Sequence, residues 1–230
     1  YNWDPNPVPG TSGFAGILSW SGGEMDTTRN RFLLRGGGHG DYGGNEIYAF
    51  DMNTLMWSRL TTPTAYASLD STCTDNADNI LADGQPRSVH TYDGLVYIPS
   101  IDSLCDSYGT TGYATCQPGT ELVCYSFATN SYTSTPTAFG KEGKAGALHP
   151  TTGAWWLQGS GLSTSARLAK YDPNDGTWVA GAYDNIMASS SDKIAVIDPV
   201  RNLFVLVHAN GNLYAQDLDA FQPGVTQLQT

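Results

Sequence analysis

Two short patterns alternate four times along the 230-residue chain, and a repeat of this kind restricts the fold more tightly than composition does. The first pattern is a turn running into an apolar strand, at residues 26–34, 98–106, 149–157 and 198–206. Its fifth position is Asn30, Asp102, Gly153 or Asn202. These residue types tolerate the left-handed backbone of a tight hairpin. Two positions further on stands a large apolar residue: Phe32, Leu104, Trp155 or Phe204. The second pattern is an alternating strand, a polar turn, and a strand opened by an aromatic residue. It covers 46–57, 121–132, 166–178 and 211–221, with Trp57, Tyr132, Trp178 and Phe221 as the aromatic residues. Alternation with a two-residue period marks strands that bury one face.

Each unit therefore supplies four antiparallel strands, at the spacing of a propeller blade of about 45–50 residues. The expected fold is an all-β β-propeller with about four recognisable blades in a single domain over 1–230. The expected blades are 14–60, 86–135, 144–180 and 188–230. Residues 61–85 read as an inserted surface loop, and 106–120 as a second insertion. A β-sandwich has strands at similar spacing but does not predict two distinct elements alternating four times. No stretch combines helical periodicity with caps at both ends.

The segment Gly36-Gly-Gly-His-Gly-Asp-Tyr-Gly-Gly-Asn-Glu, continuing to Trp57, resembles a kelch repeat: a diglycine after the second strand, then an aromatic residue, then a Trp after the next turn. Tyr171-Asp-Pro-Asn-Asp-Gly-Thr-Trp is similar. Together with His90-Thr-Tyr-Asp-Gly, this wording resembles the kelch-like, galactose-oxidase-type propellers of bacteria and their phages. Units two and four lack the diglycine and carry Tyr132 and Phe221 where Trp would stand. Kelch propellers commonly have more than four blades, so the resemblance implies an excerpt of a longer propeller. A small four-bladed ring, or chains associating to complete a ring, are the alternatives. Galactose-oxidase chemistry would require copper held by Tyr and His ligands. No motif here places those ligands, and fold alone carries no activity, so no cofactor is expected.

Charged residues are 14% of the chain, against about 25% for an average globular protein, so the polarity comes from Gly, Ser, Thr, Asn and Tyr. The net charge of -11 repels phosphate-rich partners, which argues against nucleic acid. No run is apolar and long enough to imply membrane insertion. Cys73, Cys105, Cys116 and Cys124 cluster in one stretch without the paired spacing of a zinc site. They read as disulfide candidates in an oxidising compartment. Three connectivities are possible, and the expected one pairs Cys105 with Cys116.

The Gly-rich loop 36–45 lacks the Gly-Lys-[Ser/Thr] ending of a phosphate loop. Its glycines read mainly as close approaches between strands and loops, with Asn45 and Glu46 bonding to backbone groups between blades. Read functionally, His39, Asp41 and Tyr42 project from one face into a ligand groove. Arg87, His90, Tyr92 and Asp93 open the second unit's innermost strand, which would line the channel. Tyr108 and Tyr113 lie in loops and are ligand candidates, because aromatic rings stack on sugars. Trp57, Trp155 and Trp178 occupy equivalent unit positions and read as core. His149 and His208 read as structural. His39, His90 and an Asp have no close ligand spacing, so neither a metal site nor a catalytic set is assigned.

The expected function is a non-catalytic binding or structural module, extracellular or on a cell surface or virion, engaging a glycan or protein through its loop faces. One alternative is a metal-dependent enzyme of galactose-oxidase-like type, with its site at the channel mouth near His39, Asp41, Arg87 and His90. The other is a subunit of a filament or virion, formed by self-assembly.

Overall fold

The computed structural model describes residues 14–38, 42–65, 80–107, 121–136, 144–159, 166–183, 193–221 and 226–227. Four antiparallel meanders form the blades of a β-propeller. The first contains β1 (Gly23–Asp26), β2 (Arg31–Leu34), β3 (Tyr48–Asp51) and β4 (Met56–Arg59). The second contains β5 (Leu95–Ile98), β6 (Ser103–Ser107), β7 (Glu121–Ser126) and β8 (Ser131–Pro136). In the third are β9 (Ala145–Leu148), β10 (Trp155–Gly159), β11 (Ala166–Asp172) and β12 (Thr177–Tyr183). The fourth has β13 (Lys193–Asp198), β14 (Leu203–His208) and β15 (Leu213–Asp217). A two-residue strand, β16 (Thr226–Gln227), pairs in parallel with β12.

The hairpins follow the repeated turn. Asn30, Asp102, Gly153 and Asn202 have φ of 50°, 44°, 70° and 52°, the left-handed region their side chains tolerate. The residue that follows the apolar position then faces the next sheet. Leu33 packs with Leu95, Tyr97 and Leu104 of the second sheet. Cys105 packs with Trp155 and Leu157 of the third, and Trp156 with Phe204 and Leu206 of the fourth. Three core layers thus lie between successive sheets, and a further cluster of Ile17, Leu34, Tyr42 and Tyr48 covers the other face of the first. The innermost strands also pack in order: β1 on β5, β5 on β9, β9 on β13.

Polar ties fix these layers at both ends. Asp106 of β6 bonds the Lys144 ammonium at 3.1 Å and pairs with the Arg35 guanidinium at 3.6 Å. The three residues come from the second, third and first sheets, and all are buried. Burial lowers the Lys144 pKa and raises that of Asp106, because water is excluded from both charges. At the opposite end, buried Asp26 accepts from the Arg31 Nε at 2.7 Å and the Arg29 backbone N–H at 3.0 Å. Arg29 also grips Asp102 of the second sheet through two 2.7 Å bonds.

Three expectations change. The fourth unit was expected to have four strands, the last opened by Phe221. It shows three among the described residues, and Phe221 packs edge-on against Trp156 at 4.9 Å. Cys105 bonds Cys124, not Cys116. The reason is register: β6 and β7 are neighbours in the second sheet, and these two residues are direct cross-strand partners. Cys73 and Cys116 lie outside the described residues. Glu46 accepts hydrogen bonds from the hydroxyls of Tyr42 and Tyr48, both at 2.5 Å, instead of from backbone groups. Asn45 does bridge loops, donating to the Pro86 carbonyl at 2.8 Å and accepting from the Thr64 N–H at 2.9 Å.

The Cys105–Cys124 bond closes a 19-residue separation. The Cys105→Ala/Cys124→Ala double variant should unfold at lower denaturant concentration, with a loss of about 3 kcal/mol. Equilibrium urea unfolding of both proteins measures it.

Candidate functional site

In an up-and-down meander, the loops entering each innermost strand share one face of the propeller with the loops joining second to third strands. Among the described residues that face gathers 18–22, 35–38, 42–47, 87–94, Lys144, Lys193 and 208–212.

Two of the entering segments lock together. Ser21 and Tyr92 form a parallel bridge, and the Tyr92 N–H donates to the Trp20 carbonyl at 2.8 Å. The Gly22 N–H donates to the Thr91 hydroxyl at 3.1 Å. A Cβ at Gly22 would stand 2.3 Å from the Tyr92 carbonyl oxygen, so this close approach requires glycine. Trp20 and Tyr92, on the two locked segments, have left-handed φ values of 56° and 48°. For bulky residues this is a strained conformation that the surroundings must enforce. Their rings lie 6.3 Å apart, and the buried His90 ring completes a cluster at 6.1 Å from Trp20 and 5.8 Å from Tyr92. Trp20 is 52% exposed.

Beside these rings runs a groove of about 480 Å³ between the first and fourth sheets. Trp20, Ser21 and Tyr92 line it from one side, and Ile194, Val207 and His208 from the other, with Asp93 and Lys193 between. The Asp93 carboxylate accepts the Ala195 N–H at 2.7 Å, and its carbonyl accepts the Gly146 N–H at 2.8 Å. One residue therefore joins the openings of β5, β9 and β13. Burial pushes the Asp93 pKa up to about 7; nearby Glu24 adds to the rise, and backbone N–H groups oppose it. Burial lowers Lys193 to about 8. The groove thus offers an exposed aromatic platform and two groups that gain or lose protons near neutrality.

The sequence-level candidates divide sharply. Tyr92 lies at the groove, with His90 directly behind it. Tyr42 is in the core at 2% exposure, its hydroxyl held by Glu46, because a bridge between Gly38 and Tyr42 turns this segment back over the first sheet. Gly38 makes that fold possible: with φ of 84°, a Cβ there would meet the Val89 Cα at 2.7 Å. Arg87 is buried, and its carbonyl accepts from the Arg35 guanidinium at 2.9 Å. His39, Asp41, Tyr108 and Tyr113 lie outside the described residues. His149 is structural as expected: its Nδ1 accepts from the Thr151 N–H at 3.1 Å, and its Nε2 meets Asn202 at 3.0 Å. His208, also expected to be structural, lines the groove. Trp20, Ser21 and Lys193 were missed. A signal for Trp20 existed, since Trp20-Ser-Gly and Tyr92-Asp-Gly both place aromatic, polar residue and glycine before an innermost strand.

No family model matches the chain, and no curated protein matches it. Among solved structures it is similar to an auxiliary nutrient binding protein from Bacteroides ovatus, with a TM-score of 0.47, 15% identity and coverage of 87% of this chain and 39% of that one. A streptogramin B lyase gives 0.42, 13%, 86% and 54% for the same quantities. TolB from Acinetobacter baumannii gives 0.48, 12%, 87% and 41%. The chain therefore spans only 39 to 54% of the length of these proteins.

Because the Asp93 pKa is raised, its contribution to stability is full below the ordinary carboxyl range and is lost as pH rises through about 7. Asp93→Asn keeps an acceptor for the Ala195 N–H and carries no charge. Relative to wild type it should gain on the order of 2–4 kcal/mol between pH 4 and pH 8. Denaturant unfolding of both proteins at the two pH values checks this; equal pH dependence would show that Asp93 titrates normally.

Proposed function

We propose that the chain is the binding part of an extracellular or surface-exposed propeller of kelch-like type, and that it takes a glycan at the groove beside Trp20 and Tyr92. One observation carries this reading: a half-exposed Trp20, held in a strained conformation next to Tyr92, forms the lip of a groove with polar groups at its base. Sugar rings present apolar faces to aromatic side chains and hydroxyls to polar ones, and such a platform serves both. Ser21, Asp93, Lys193 and His208 supply donors and acceptors for the hydroxyls.

The setting fits the location. Cys105 and Cys124 are joined, as proteins of oxidising compartments commonly are. No helix among the described residues is long and apolar enough to cross a membrane. A protein ligand, the other expected partner class, would use the same platform.

Screening on an immobilised glycan panel should yield binders, and Trp20→Ala should weaken them at least about tenfold, the loss of about 1.4 kcal/mol of contact. Circular dichroism of the variant should be unchanged. A wild-type protein that binds no glycan, or a Trp20→Ala protein that binds as tightly, would refute the assignment.

A further inference from the structure

The groove is not lined by polar and aromatic groups alone. Ile194 and Val207, which line it, begin a row that Leu213 completes across β13, β14 and β15. Val196, Val205 and Ala215 form the next row on the same face, and Asp198, Leu203 and Asp217 form the last. At the rise of a β-strand the first row lies roughly 13 Å from the last. Ile194 is 55% exposed, Val196 51% and Leu213 69%. The apolar surface thus starts at the groove and stops at two carboxylates. Asp198 is engaged within its own turn, where it accepts from the Val200 and Arg201 N–H groups at 2.9 and 3.1 Å.

The other side of the groove is apolar as well. Leu18, the last residue of α1 (Phe14–Leu18), lines it and is 48% exposed. Beside Leu18, Ile17 packs on Leu34 and Tyr48, so the helix covers the first sheet on this side. Each of the three successive pairs of sheets shares a layer of buried side chains. Between the fourth sheet and the first, the described residues leave an open groove with apolar surface running out of it. Contiguous apolar surface of this kind marks a place where a ligand sits. Covering it favours any apolar chain long enough to lie along the rows.

We propose that the groove takes a sugar bearing an alkyl or acyl chain, with the sugar ring on Trp20 and Tyr92 and the chain laid from Ile194 along Leu213 and Val196. This rests on the glycan reading above and narrows it to an amphipathic ligand. Continuity decides the occupant. Ile194 and Val207 belong to both the groove and the open face, so a chain attached to the bound sugar reaches the rows without a second encounter, at high effective concentration. The net charge of -11 and the carboxylates at the end of the face disfavour an anionic membrane surface in its place.

Isothermal titration calorimetry tests this with the methyl and octyl glycosides of glucose, galactose and mannose, all below the micelle concentration of the octyl compounds. At least one octyl glycoside should bind, one per chain and at least about tenfold more tightly than its methyl counterpart. Leu213→Ser and, independently, Val196→Ser should lower that octyl-to-methyl ratio at least about threefold. Trp20→Ala should weaken the octyl glycoside too. Equal affinities for the methyl and octyl forms would overturn the inference and leave the glycan reading standing. Failure of every octyl glycoside to bind, or binding only above the micelle concentration, would overturn it whatever the glycan panel shows. An octyl ether of tetraethylene glycol that binds as tightly as the octyl glycosides would show that the sugar contributes nothing, and would overturn both readings. The comparison of methyl with octyl forms on the unsubstituted protein decides the matter should a variant fail to fold.

Discussion

One carboxylate ties three of the four sheets together. Asp106 projects from the second sheet to Lys144 at the opening of the third and to Arg35 at the end of the first. Both cations are buried. Such a group is costly to bury, and removing one member leaves the others worse off than the assembled cluster does. Its value here is geometric. Apolar faces can slide over one another, whereas a carboxylate between two fixed cations allows one arrangement. The entrances to the innermost strands, and so the groove, inherit that arrangement.

Much of the fold was legible because its signals are local. The left-handed residue of each hairpin depends on a handful of neighbours, and Asn30, Asp102, Gly153 and Asn202 announced it directly. Alternation in the following strand then assigned each side chain to a face. The pairing of Cys105 with Cys124 was not legible in the same way. It depends on the register of β6 against β7, two strands far apart in sequence, and a short spacing to Cys116 is a misleading substitute. Phe221, expected to open a fourth strand, lies outside any strand for a similar reason, since an aromatic residue after a turn serves the neighbouring sheet equally well.

The site was less legible than the fold. Glycine-rich loops are usually exposed, and Tyr42 was read accordingly. Left-handed glycines instead turn the loop inward, where Glu46 binds the tyrosine hydroxyl. Trp20 shares with Tyr92 the order aromatic, polar residue, glycine before an innermost strand, but its exposure emerges only when the first and fourth sheets are placed side by side. Lys193 reads in sequence as an ordinary strand residue, and its lowered pKa is a property of the packing around it.

The conformations of Trp20 and Tyr92 set stability against recognition. Asparagine or glycine would occupy a left-handed backbone more comfortably than either aromatic residue. A protein selected in the laboratory only for heat resistance would therefore be drawn toward substitutions at these two positions. It would become sturdier while losing the surface by which it meets a ligand.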